Sequence, residues 1–208
     1  SGAGLEVYHA TIPRIKLANS TTGNASGDGF DIHIDGSSKD VKLFQREAAN
    51  MILATSGSER MRIAADGNVG IGTTPESGQG SNSQGLYVGT HASLTSNGAY
   101  ESVNLSENAY LATAASDAWK YRDTSHAARH EMKAGVHTLK VAASGSADAA
   151  ITWNTGFEVL NDGKARAKNG LLFGTDTATA NTLDDYEEGT WTAAFEGATF
   201  SGGNRTGY

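Results

Sequence analysis

The sequence predicts a mainly β fold: an elongated multi-chain fibre of short strands and tight glycine-containing turns, with little helix. Three observations predict it. Short alternating apolar runs recur at a spacing of roughly 8 to 12 residues, separated by turn formers. Glycine supplies 26 of the 208 residues, almost twice its usual share of about 7 %. Leu, Ile, Val and Phe together supply only 35 of the 208. So little bulk struggles to offset roughly 1–2 kcal/mol of backbone entropy per ordered residue in a single chain. A monomeric sandwich has the same strand spacing, but identical chains packed along an axis would bury the scarce apolar side chains more completely.

The runs appear in order. Ile15 and Leu17 follow Pro13, then Phe30, Ile32 and Ile34 stand in GFDIHIDG, closed by Asp35-Gly36. Val41 and Leu43 come next, then Met51-Ile52-Leu53. The most informative stretch is ERMRIAADGNVGIGT, Glu59 to Thr73. Met61 and Ile63 alternate with Arg60 and Arg62, Asp66-Gly67 turns the chain, and Val69 and Ile71 alternate with Gly70 and Gly72. Glycine accepts the positive φ that such turns require, and Gly70 and Gly72 are expected to let neighbouring chains approach around an axis. Residues 1–78 thus read as one β-rich shaft module.

Residues 79–85, within the polar stretch ESGQGSNSQG, read as a linker. Residues 86–182 read as a second β-rich module, with runs at Leu86 and Val88, Tyr100 to Leu105, Trp119 to Tyr121, Leu139 and Val141, Ile151 and Trp153, Phe157 and Val159, and Leu171 to Phe173. Ala109–Ala118 and Asp123–Lys133 have helical propensity, yet neither carries a large apolar stripe. A weak repeat links the modules: Met61 to Gly67 aligns with Phe157 to Gly163, so that Asp162-Gly163 repeats Asp66-Gly67. Val41 to Leu43 aligns with Leu139 to Val141, and Gly72-Thr73 with Gly174-Thr175. Residues 183–208 read as the truncated start of a distal β-region, and the termini as those of a piece of a longer polypeptide.

The formal charge of −7 provides no basic footprint for nucleic acid or anionic lipid. No apolar stretch approaches the length of a membrane span, so no membrane insertion is expected. With no cysteine there are no disulfides or thiolate metal sites.

Three phrases, in this order, resemble segments of bacteriophage tail-fibre and tailspike-like proteins. They are GDGFDIHI with VKLFQREAANM and ERMRIAADGNVGIGT; then DAAITWNTGFEVLNDG; then LDDYEEGTWT at Leu183 to Thr192. The resemblance implies a homotrimer of packed β-strands, attachment to other virion proteins of tail, baseplate or capsid, and recognition of a bacterial surface glycan or protein through a distal domain. It implies a virion location, as an extracellular appendage.

The candidate chemistry is sparse. Asp184, Asp185, Glu187 and Glu188 surround Tyr186; glycoside hydrolysis needs a carboxylate pair roughly 5 to 9.5 Å apart, but four acids this close commonly form a solvated turn. His126 and His130 have i, i+4 spacing with His137 near, without the glutamate of a metalloprotease motif, and His33 stands alone in a strand. The glycines from Gly67 to Gly72 lack the following helix of a phosphate cradle. Trp119, Trp153, Trp191, Tyr87, Tyr100, Tyr110 and Tyr121 are expected to fill gaps rather than stack on sugars. No catalytic residue, cofactor or metal is therefore expected, and no receptor-binding residue is identified. The expected function is a structural fibre segment that positions a host-binding tip. A polysaccharide depolymerase and a non-viral bacterial surface adhesin are the alternatives.

Overall fold

The computed structural model describes residues 5–79, 82–113, 116–172, 174–175, 177–178 and 182–183. The chain is mainly β, with no α-helix among those residues. It divides into two units, Ser1–Lys168 and Asn169–Tyr208. In the second, the described structure is a single antiparallel bridge between Leu171 and Leu183.

The first unit holds three sheets. Strands β1 (Arg14–Leu17), β2 (Phe30–Ile34) and β3 (Val41–Gln45) form an antiparallel meander. Ten further strands form one large sheet. They are β4 (Met51–Thr55), β5 (Ser58–Ile63), β6 (Val69–Ile71), β7 (Ser83–Val88), β8 (Ala92–Asn97), β9 (Ser102–Glu107), β12 (Ser125–Lys133), β13 (Val136–Gly145), β14 (Asn154–Val159) and β15 (Ala165–Ala167), in spatial order β15-β14-β13-β12-β9-β8-β7-β6-β5-β4. Every pairing is antiparallel except β6 with β7, where Val69 lies beside Leu86. Between β9 and β12 the chain makes an excursion, the ribbon of β10 (Ala109–Thr113) and β11 (Ala118–Tyr121).

Residues 79–85 are not a boundary between sheets. Strand β7 begins at Ser83 inside that stretch and joins the large sheet, and the division into units falls after Lys168. The two segments with helical propensity carry strands instead: β10 and the start of β11 in the first, β12 in the second. In β12, Ala127, Arg129 and Glu131 face inward while Ala128, His130 and Met132 face outward, and pairing to β9 and β13 on both sides overrides the preference of Ala, Arg, Glu, Met and Lys for helix.

The internal repeat has a structural counterpart. Met61 pairs with Ile71 and Ile63 with Val69; 96 residues later Phe157 pairs with Ala167 and Val159 with Ala165. The turns match bond for bond. Ala64 N–H donates to Asn68 O (2.8 Å) and Gly67 N–H to Ala64 O (2.9 Å); Leu160 N–H donates to Lys164 O (2.8 Å) and Gly163 N–H to Leu160 O (2.9 Å). In each, an aspartate accepts from the backbone two residues on: Asn68 N–H at Asp66 Oδ1 (3.1 Å) and Lys164 N–H at Asp162 Oδ1 (3.0 Å). The outer matches are corrected by register. Leu139 lies beside Phe157 as Leu53 lies beside Met61, so β13 corresponds to β4 and not to β3. Gly72 N–H donates to Arg60 O and Lys168 N–H to Gly156 O, so the counterpart of Gly72 is Lys168 and not Gly174.

The turn glycines differ in what they tolerate. Gly67 and Gly163 have φ of +91° and +85°. A Cβ on Gly163 would meet nothing within 4 Å, whereas one at Gly70 would stand 2.1 Å from Thr73 O and 2.8 Å from Pro75 Cδ. The close approach at Gly70 is therefore to the chain's own loop. Gly163→Ala is expected to cost roughly 1 kcal/mol through backbone strain alone, and Gly70→Ala roughly 3 kcal/mol through overpacking against backbone. Denaturant midpoints of the two variants check that order.

Candidate functional site

The large sheet has two unlike faces. Over the central strands, one face is covered by the chain itself. Over it lies the β10–β11 ribbon, whose Ala109, Leu111, Trp119 and Tyr121 cluster with Ala127 and Ala142, with Ile151 and Trp153 packed alongside. Apart from Ala127, the residues that β8, β9 and β12 turn to this face are polar: Ser93, Thr95, Asn97, Ser102, Asn104, Ser106, Arg129 and Glu131 are all buried. Asn108, fully buried, ties the neck of the excursion: its Nδ2 donates to Asp123 O (3.0 Å) and His126 O (2.9 Å), and Asp123 N–H donates to its Oδ1 (2.8 Å).

The arginine on this face is caged by aromatics. Arg129 lies 4.4 Å from the Trp119 ring and 5.0 Å from Trp153, and it continues an ion chain through Glu131 (3.6 Å) to Lys140 (2.5 Å). Burial lowers the Arg129 pKa against the opposing charges of Glu131 and Asp117. Burial alone would raise Glu131, but the hydrogen bond from Lys140 and the charges of Arg129 and its neighbours outweigh it, leaving the carboxyl below its ordinary value.

Tyr87 is fully buried on the same face, its ring lying across Gly85 and its hydroxyl accepting from Gln79 Nε2. Desolvation pushes that hydroxyl up to about 12, and Tyr110, beside the Asp148 carboxylate, is raised as well, by desolvation first. A raised folded-state pKa means that the stability held by the neutral phenol is complete below about pH 10 and is lost as pH climbs through about 12. In an alkaline titration, Tyr87 is expected to form phenolate only well above about pH 10, together with unfolding. Phenolate at Tyr87 near pH 10 in the folded protein would contradict this.

The opposite face is apolar and open. Strand register lines up one row across all ten strands: Met51, Ile63, Val69, Leu86, Leu94, Leu105, His130, Leu139, Phe157 and Ala167. A flanking row holds Leu53, Met61, Ile71, Val88 and Ala92, and continues through Glu107, Ala128 and Val141 to Asn154. The side chains at its centre are half in solvent: Leu94 is 46 % exposed, Leu105 56 % and Leu139 49 %.

The three-stranded sheet repeats the inversion. On one face Asp31 is fully buried, 2.5 Å from His33 Nδ1 and 3.1 Å from Arg46 Nε, with Arg14 Nε at 3.8 Å. Burial would raise the Asp31 carboxyl, but those hydrogen bonds and charges win and hold it below its ordinary value. On the other face Ile15, Leu17, Ile32, Ile34, Val41 and Leu43 are exposed.

The residues singled out in the sequence fall into this frame. Met61, Ile63, Val69 and Ile71 share the open face, at the β4 end of its rows. Asp66, Gly67, Asp162 and Gly163 form the two matched turns, and Gly70 and Gly72 lie in and just after β6. Tyr87, Tyr110, Trp119 and Tyr121 are buried packing residues. His33 is packed against Asp31, and His130 meets His137 rather than His126. Asp184, Asp185, Tyr186, Glu187, Glu188 and Trp191 lie outside the described residues. Sequence reasoning missed Asn108 and the Arg129 cage, both of which depend on long-range contacts. Among protein-family models, curated proteins and solved structures, none matches the chain.

Proposed function

We propose that this chain is a structural segment of a phage tail-fibre or tailspike-like appendage, assembled as a homotrimer, that carries and positions a host-binding tip on the virion. The observation that carries the reading is the inversion at the middle of both sheets: each buries polar side chains on one face within the chain and leaves rows of apolar side chains open on the other. Copies of the chain packed by those faces would bury the residues that a lone chain leaves in water, at roughly 25 cal/mol per Å² of apolar surface removed. The resemblance of three segments to fibre proteins supplies the number of copies and the context.

In this reading the segment works mechanically. Ladder hydrogen bonds stiffen the rod, and strands closed around an axis leave no edge for stray pairing. Three tips on one rod raise the effective concentration for weak contacts with a bacterial surface glycan or protein. The glycine-bearing turns keep the strands short and closely packed. Immunogold labelling of intact particles with antibody against this segment tests the assignment. Gold on slender surface appendages is the expected result, and particles that carry the protein elsewhere, or lack it, would overturn the assignment.

A further inference from the structure

Two imidazoles interrupt the open apolar face at its centre. His130 Nε2 and His137 Nδ1 stand 3.1 Å apart, with ring centroids 5.3 Å apart and planes tilted by 32°. His130 pairs with Leu139 and His137 with Met132, so the two histidines are diagonal neighbours on β12 and β13. Their cross-strand neighbours are apolar: Leu105 and Leu139 beside His130, Met132 and Val159 beside His137. Packing alone would be served as well by two more aliphatic residues.

We propose that His130 and His137 form a two-imidazole site for a divalent transition-metal ion of the Zn2+, Cu2+ or Ni2+ kind. Two nitrogens held at the usual metal–imidazole distance on one tetrahedral ion stand ~3.3 Å apart, so the rings need to move only slightly. A donor set of imidazoles without carboxylate selects these ions over Mg2+ and Ca2+. Among the described residues no group of three or more His, Cys, Asp or Glu gathers, which leaves the ion's other positions to water or to a second copy on the same face. Without metal, one ring donates its N–H to the other; on binding, that proton moves to the far nitrogen of its own ring and both lone pairs turn to the ion. The strands are held for it, since β12 is paired to β9 and β13, and β13 to β12 and β14. Both donors belong to one chain, so the site stands whether or not the fibre reading does.

The test is calorimetric titration of Zn2+ into the full chain, with histidine-labelled NMR of the unaltered protein alongside. One saturable site per chain is expected, and of the six histidines only His130 and His137 should show large imidazole nitrogen shifts. His130→Gln and His137→Gln should each abolish saturable binding, while His126→Gln on the same strand should bind like the parent. Absence of saturable binding, shifts centred on other histidines, or binding that survives both substitutions would overturn the proposal. The NMR arm decides the matter even where a variant fails to fold.

Discussion

Leu105→Asp is expected to dismantle the proposed homotrimer. Leu105 sits near the middle of the ten-strand row between Leu94 and His130, more than half exposed in the single chain. A carboxylate there costs the chain's own sheet little. Buried against another copy and unpaired, it costs several kcal/mol, and the cost recurs in every copy. Ile63→Asp and Ile71→Asp act the same way toward the β4 end of the face. Chains that fail to assemble still expose the rest of the rows, so the expected products are unfolded or aggregated polypeptide, read by light scattering after gel filtration. An intact oligomer, or a soluble compact mutant monomer, would contradict the shared-interior account.

Trp119→Ala is expected to destabilise the first unit by about 4 kcal/mol. Trp119 is 3 % exposed and lies at the heart of the cluster under the β10–β11 ribbon. Its ring meets Trp153 edge-on, centroids 6.4 Å apart, its Nε1 donates to Asp117 Oδ1 at 2.8 Å, and its face holds Arg129. Truncation opens a cavity, removes one wall of the cage and leaves a buried guanidinium facing the void. Trp119→Phe keeps the packing and most of the cation–π contact, and should recover more than half of the loss. Denaturant unfolding measures both. A cost below about 1 kcal/mol for the alanine variant would mean that the ribbon is not held by this cluster.

The strand runs were legible because alternation fixes which side chains share a face. Alternation puts Met61 with Ile63 and Val69 with Ile71 on common faces, and the Asp-Gly pairs at Asp66-Gly67 and Asp162-Gly163 mark turns in the text of the chain itself. Alternation does not say which strand lies beside which. The row from Met51 to Ala167 exists only through register, and with it the meeting of His130 with His137. Strand β8 escaped notice because its inward residues are Ser93, Thr95 and Asn97, and only Leu94 marks its outward face. Strand β12 carried the propensity of a helix. Its pairing on both edges, a property of distant segments, decided otherwise. Asn108 left no local trace, since the carbonyls it satisfies belong to Asp123 and His126.

The most direct test is the mass and shape of the native chain in dilute solution, by light scattering combined with sedimentation velocity. A species near three times 21.6 kDa that sediments as an elongated particle is the expected result. A stable, compact species of 21.6 kDa would contradict the account, because the open apolar faces of both sheets would then need no partner.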